Sequence, residues 1–182
     1  TVVVTGGGGF IGFNLTYELI KRNCTVIAID NFDPYYPEEI KRKKIGNLID
    51  KPEYKFIECD IRDGKNLTQI LKSDGVEAVF HLSARPGIRS SIQDPTLYND
   101  LNVNGTLSLL EACLHSDVEK IVYASSSSVY GNPEYLPIDE KHPTNPISPY
   151  GVSKLAAEKY CSCFQEMHGL ECVILRYFTV YG

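Results

Sequence analysis

The sequence predicts an α/β fold built as a doubly wound parallel sheet with helices on both faces. Three observations carry this expectation. Short apolar runs recur at residues 2–4, 26–29, 54–57, 78–80, 121–123 and 172–175. Most are continuous rather than alternating, as expected of parallel strands covered on both faces. Amphipathic stretches lie between them: Ile11, Leu15 and Leu19 share one helical face, and Leu97, Leu101, Leu107, Leu110 and Leu114 approximate another.

The chain's 182 residues suffice for one domain with a substantial core, and residues 1–182 are expected to form a single dinucleotide-binding domain. The chain begins in a strand at Thr1, has Met167 as its only methionine, and stops at Gly182 just after a strand and turn. A longer natural protein is therefore expected, extended chiefly at the C-terminus by a substrate-binding portion. A net charge of −5 offers no basic footprint for nucleic acid or an anionic membrane. No run approaches the roughly 20 apolar residues of a membrane span. Six cysteines without a CxxC, and four histidines without metal-ligand spacing, read as reduced thiols in a cytoplasmic protein with no metal site.

Two connections are long. Residues 31–52 surround an expected helix bearing Lys41-Arg42-Lys43-Lys44, for which a solvated face is the expected setting. Residues 131–148 contain Pro133, Pro137, Pro143 and Pro146, and a connection of this length is usually functional or disordered.

The segment Thr5-Gly6-Gly7-Gly8-Gly9-Phe10-Ile11-Gly12 joins the first strand to the first helix. Glycine permits a tight turn and close approach of a pyrophosphate, and the helix N-terminus offers unpaired N–H groups. The second strand ends at Asp30, where a carboxylate can accept from the adenosine ribose hydroxyls and repel a 2′-phosphate. NAD is therefore expected as cofactor rather than NADP.

A second constellation follows. Tyr150 and Lys154, four residues apart, share a helix face, so an ammonium can act on a phenol. Ser148-Pro149 reads as an N-cap followed by proline at the first helical position. The Tyr17/Lys21 pair has the same spacing without this setting. Upstream, Ser125 to Ser128 place hydroxyls at the C-terminal end of a strand, where open α/β sheets bind ligands.

These segments resemble the extended short-chain dehydrogenases/reductases, a family with a Rossmann-type domain. TGGGGFIG is similar to the family's TGGxGFIG, Cys59-Asp60-Ile61 to its adenine-contacting segment, and His81-Leu82-Ser83-Ala84 to its H-x-A-A stretch. Ser83 departs from the usual alanine. Asn102-Val103-Asn104-Gly105-Thr106 matches N-x-x-G-T, where the asparagine is mainly structural. The resemblance implies NAD contacts from Gly6, Gly9, Phe10, Ile11, Gly12, Asp30, Asn31, Asp60, Ile61, Leu82, Ser83, Ala84, Tyr150, Lys154 and Tyr177. It also implies catalysis by Ser126, by Tyr150 as base, and by Lys154, which would hold the nicotinamide ribose while tuning Tyr150.

Within the family the chain most resembles nucleotide-sugar 4-epimerases. There the tyrosine takes a proton from the sugar 4-hydroxyl as hydride passes to NAD, and the 4-keto sugar is reduced again on its other face. Family dehydratases carry an Asp-Glu pair where this chain has Ser127 and Ser128, and related decarboxylases usually carry Glu at the second position. Leu175-Arg176-Tyr177-Phe178-Thr179-Val180-Tyr181-Gly182, Asp30-Asn31-Phe32-Asp33-Pro34-Tyr35-Tyr36 and the Gly87-Ile88-Arg89 step are similar to UDP-glucuronate 4-epimerases. Arg89, Ser126, Ser127, Ser128, Tyr150 and Thr179 are the implied contacts to a UDP-sugar. UDP-glucose/UDP-galactose 4-epimerase is the alternative, and a non-catalytic NAD-binding sensor is the rival class. A homodimer through the helices of residues 97–114 and 150–168 is also implied.

Overall fold

A computed structural model describes residues 1–73 and 75–182. Six strands, β1 (Val2–Thr5), β2 (Val26–Asp30), β3 (Tyr54–Glu58), β4 (Ala78–His81), β5 (Lys120–Ser126) and β6 (Glu171–Tyr177), pair in the order β3-β2-β1-β4-β5-β6. Every pairing is parallel. The strand order reverses beside β1, so the crevice above its C-terminal end is the switch point where such sheets bind ligands.

Side-chain alternation along the strands sorts the core into two layers. Ile27 and Ile29 join Val3, Val79, Ile121 and Tyr123 on one face. There they meet α3 (Gly64–Leu71), α6 (Gly105–Leu114) and α7 (Pro149–His168) through Leu67, Leu109 and Ala157. Ala28 points the other way, into a smaller cluster formed with α1 (Phe10–Lys21) and α2 (Glu38–Gly46) through Phe13, Ile20 and Ile45. The helical cover is unequal. Val173 and Leu175 on β6 remain exposed, so this continuous apolar run is a strand buried on one face, not two.

Helix ends follow the local chemistry. The Ser148 hydroxyl accepts from Gly151 N–H at 3.1 Å, Pro149 occupies the first turn of α7, and Gly169 ends it at φ +77°. Asp63 caps α3 by accepting from Asn66 N–H at 3.1 Å.

The helix expected over residues 97–114 is not continuous. It comprises α5 (Pro95–Asn99), a π-helical turn (Asp100–Asn104) and α6, preceded by the short α4 (Ile88–Gln93). Asn102 lies in that turn, buried, with all its polar atoms engaged. Its Oδ1 accepts from Arg85 N–H at 2.7 Å, while its Nδ2 donates to Arg85 O at 3.1 Å and to Ser153 Oγ at 3.0 Å. The widened turn aims an amide at the strand-end loop after β4 and at α7 together. Periodicity of apolar residues does not register such an insertion.

The six cysteines are unpaired, with Cys59, Cys113 and Cys161 buried, Cys24 and Cys172 half-buried, and Cys163 exposed. Replacing Asn102 by leucine should cost on the order of 2–4 kcal/mol, because the Arg85 peptide and the Ser153 hydroxyl lose their shared partner in a half-buried setting. Urea unfolding, with Asn102→Gln as a partial rescue, measures it.

Candidate active site

The loops at the C-terminal ends of the strands enclose a cleft of ≈ 380 Å³. Its floor is the glycine turn. Gly6 has φ +70°, and a side chain there would press Ser83 N and the Leu82 carbonyl at 2.9–3.2 Å. Gly9 N–H donates to Gly6 O at 2.9 Å, and a Cβ on Gly12 would fall 2.1 Å from that same oxygen. The turn therefore closes against the first helical residues with no space for a methyl group. Among the residues expected to contact NAD, Gly6, Gly9, Phe10, Ile11, Gly12, Asp30, Asn31, Ile61, Leu82, Ser83, Ala84, Tyr150, Lys154 and Tyr177 line this cleft. The cradle fits an extended dinucleotide: bare backbone at β1, a carboxylate at β2 and hydroxyls at β5.

Asp60 is not among the residues that line the cleft. Its carboxylate accepts from Arg62 N–H, Nε and Nη2 and from Asn31 Nδ2, all at 2.7–2.9 Å. These bonds, led by those from the Arg62 side chain, pull its pKa down to about 2. Asp60 thus organises the wall from behind, while its neighbours Cys59 and Ile61 face the cleft.

Asp30 sits at the end of β2 at 5% exposure. Its Oδ1 accepts from Phe32 N–H at 2.9 Å and from Lys41 Nζ at 3.0 Å, and its Oδ2 accepts from Gly8 N–H at 3.1 Å. An ionised carboxylate has about four acceptor positions, so one on Oδ2 stays available to a ribose hydroxyl. The Lys41 contact corrects the expectation of a solvated basic face. Arg42 and Lys43 are exposed, but Lys41 is buried and lines the cleft. Lys41, Ile45 and Leu48 fall at i, i+4 and i+7, the buried stripe of α2, and that spacing was the available signal.

At the other end of the cleft, α7 presents Tyr150 and Lys154 beside Ser126, the last residue of β5. Burial raises the Tyr150 pKa above 10, a hydrogen bond with Ser126 pulls it back, and the hydroxyls of Tyr98, Tyr35 and Tyr36 raise it further. Lys154 is fully desolvated, which brings its pKa down to about 7, against the opposing pull of Cys161 and Glu158. Its ammonium lies 4.5 Å from the centre of the Tyr123 ring, an attraction that favours the charged form. Behind it, Glu158 accepts from Arg176 Nε at 3.0 Å and Nη2 at 2.8 Å, and from the Ser125 hydroxyl. Glu158 was not singled out from sequence.

His81, on β4, is wholly buried with both ring nitrogens paired to hydroxyls, Thr5 at 2.8 Å and Thr106 at 2.9 Å. Desolvation, then the Lys154 charge, lowers its pKa to about 3. It braces the sheet beneath the cleft as a neutral ring.

The four residues expected only at the sugar end are placed differently. Ser127 and Ser128 turn away into a short 3-10 turn (Ser127–Val129), where Ser128 N–H donates back to Ser126 Oγ at 3.2 Å. Thr179 is exposed beyond β6, and Arg89 is exposed in the first turn of α4. None of the four lines the cleft, whereas Arg85, Phe178 and Val180 do. Among the described residues, no group of three or more His, Cys, Asp or Glu side chains is placed to hold a metal, and no helix is long and apolar enough to cross a membrane.

This geometry agrees with comparison to known proteins. Residues 2–182 match the model of the NAD dependent epimerase/dehydratase family. The chain belongs to that family. A UDP-glucuronate 4-epimerase of Thermodesulfobacterium geofontis is 36% identical over 99% of this chain and 56% of its own length. A UDP-glucose 4-epimerase of Halalkalibacterium halodurans is 38% identical over 100% of this chain and 51% of its own. The crystal structure of UDP-glucuronic acid 4-epimerase from Bacillus cereus, in complex with UDP-glucuronic acid and NAD, superposes with a TM-score of 0.92 at 38% identity. That match covers 100% of this chain and 57% of the other. The chain thus spans about half the length of these relatives. Its family is NAD-dependent, and its sheet has the family's Rossmann-like order.

Two outcomes follow from the site. Gly12→Ala should weaken NAD binding by at least about tenfold, measured by calorimetry, because the turn must open to admit the methyl group. His81 should remain neutral at pH 5, read from its ring resonances. Its folded pKa lies below the ordinary value near 6.5, so the unfolded chain binds the extra proton between those two values. The neutral ring therefore costs no stability above pH 6.5 and progressively more as pH falls toward 3.

Proposed function

We propose that the whole protein is an NAD-dependent UDP-sugar 4-epimerase acting through transient oxidation at C4, with UDP-glucuronate as substrate. The observation that carries this reading is the convergence of Ser126, Tyr150 and Lys154 on one cleft with the glycine turn and Asp30, in a chain of this family. NAD, when bound, supplies the reversible redox capacity. The residues supply the proton handling.

Tyr150 removes the proton of the sugar 4-hydroxyl and later returns it. A neutral phenol whose pKa is raised by burial is a poor base, so the hydrogen bond with Ser126 and a cationic Lys154 are both needed to favour the phenolate. Lys154 is balanced near neutrality: the Tyr123 ring and the Glu158 carboxylate favour its ammonium, and burial opposes it. The same ammonium can donate to the nicotinamide ribose, since it shares the cleft wall with Tyr150.

Two residues speak against dehydration. Ser127 and Ser128 carry no carboxylate for the elimination of water, and they follow Ser126 directly. Relatives named for UDP-glucuronate and for UDP-glucose match this chain about equally, at 36% and 38% identity, so similarity alone does not choose the sugar. The hydroxyl set of Ser127, Ser128 and Thr179 favours the uronate: neutral donors hold a carboxylate without a fixed charge to promote its loss. This requires the segments carrying Ser127, Ser128 and Thr179, none of which lines the cleft here, to turn toward the bound sugar.

A homodimer is proposed from the family resemblance, with Val152 and Tyr160 exposed along α7 as contact candidates. A cytoplasmic setting is proposed from the unpaired thiols.

Full-length protein offered UDP-glucuronate should yield UDP-galacturonate by NMR, faster than it converts UDP-glucose. Tyr150→Phe should lower kcat by about 10²–10⁴-fold while NAD stays bound. Preferential turnover of UDP-glucose would reverse the substrate order. No turnover of either sugar with NAD bound would favour the sensor.

A further inference from the structure

The strand order places β1 between β2 and β4, so any contact from the loop after β2 to the loop after β4 must pass above the glycine turn. One ion pair does this. Arg85, four residues beyond β4, donates through Nη1 to both carboxylate oxygens of Asp33, three residues beyond β2, at 2.9 and 3.0 Å. Both side chains line the cleft and are only about one-fifth to one-quarter exposed (21% and 25%).

The backbones on either side are held independently of the pair. The Arg85 peptide is gripped at N–H and C=O by Asn102. Asp33 O accepts from Lys41 Nζ at 3.3 Å, and Asp33 N–H donates to Asn31 Oδ1 at 3.1 Å. The Arg85 guanidinium also lies 5.3 Å from the centre of the Tyr35 ring, and Tyr35 N–H donates to Asp33 Oδ1 at 2.9 Å. With both backbones fixed, the side chains can part and rejoin by rotamer changes alone. An ion pair of this exposure is also weak enough to open thermally.

We propose that Asp33 and Arg85 form a gate across the dinucleotide cleft that controls how fast NAD enters and leaves. The inference adds to the epimerase reading without needing it. In an epimerase, the oxidised sugar must meet the same reduced cofactor again, so slow cofactor exchange serves the cycle. A gate closed in both the empty and loaded states slows entry and exit by the same factor and leaves affinity nearly unchanged. A direct phosphate ligand would instead act on exit.

The test is stopped-flow fluorescence of NADH binding and displacement in the full-length protein. Arg85→Gln should accelerate association and dissociation together, each by roughly tenfold, with Kd changed by less than about threefold. Asp33→Asn should do the same. It retains an oxygen to accept from Tyr35 N–H, so the turn survives and an unfolded Arg85 variant would not leave the question open. In the native protein both rates should rise with added salt, and in the variants this dependence should shrink. Faster dissociation alone would overturn the gate and make Arg85 a phosphate ligand. Unchanged rates in the variants would make the pair purely architectural. Either failure leaves the sugar-turnover assay, and hence the epimerase reading, untouched.

Discussion

The Asp30 carboxylate is the point on which three otherwise separate segments depend. Gly8 of the glycine turn, Phe32 of the following loop and Lys41 of α2 all donate to it. A buried carboxylate without such partners would be neutralised or expelled, since desolvating a charge costs several kcal/mol. Satisfying it therefore draws the turn after β1, the loop after β2 and α2 into one geometry. Lys41 offsets the carboxylate's charge without filling its last acceptor position. The β2 end of the cleft is thus polar and held by three donors.

The opposite end is organised by a different balance. Among the described residues no carboxylate is paired with the Lys154 ammonium; the cation faces an aromatic ring, and the Glu158 carboxylate that favours its charge is already committed to Arg176 and Ser125. Such an arrangement keeps the lysine's proton weakly held, with a pKa brought down to about 7, so modest changes in the cleft alter its charge. Tyr150 is shifted by burial in the sense that keeps it protonated. The two groups are therefore poised so that the Ser126 contact and bound ligands decide where the protons reside.

Much of this was legible in the sequence. Parallel strands announce themselves as continuous apolar runs, and all six fall where those runs stand. The glycine turn, Asp30 and the Ser148-Pro149 cap were readable because each residue type answers a local backbone need. Three placements escape a reading by motif and charge run alone. Lys41 belongs to a charge run, yet its spacing to Ile45 and Leu48 puts it on the buried stripe. Motif resemblance points to Arg89 and is silent on Arg85, which reaches the cleft wall through its tertiary partners Asn102 and Asp33. The run from Ser125 to Ser128 looked uniform, yet the turn after β5 divides it. Ser125 and Ser126 face the cleft, and the next two are carried away from it.

The π-helical turn at residues 100–104 has a further consequence. Such a turn is an α-helix carrying one residue more than its hydrogen-bond ladder needs. Removing a single residue there would let the ladder close regularly, so the deletion would be easy for the backbone. It would also swing α5 by about 100° around the axis relative to α6. Tyr98, which bonds Pro86 and stands edge-on to the Tyr150 ring at 6.2 Å, would leave the site with it. The extra residue thus acts as a phase offset between the half of the helix that serves the core and the half that serves the cleft.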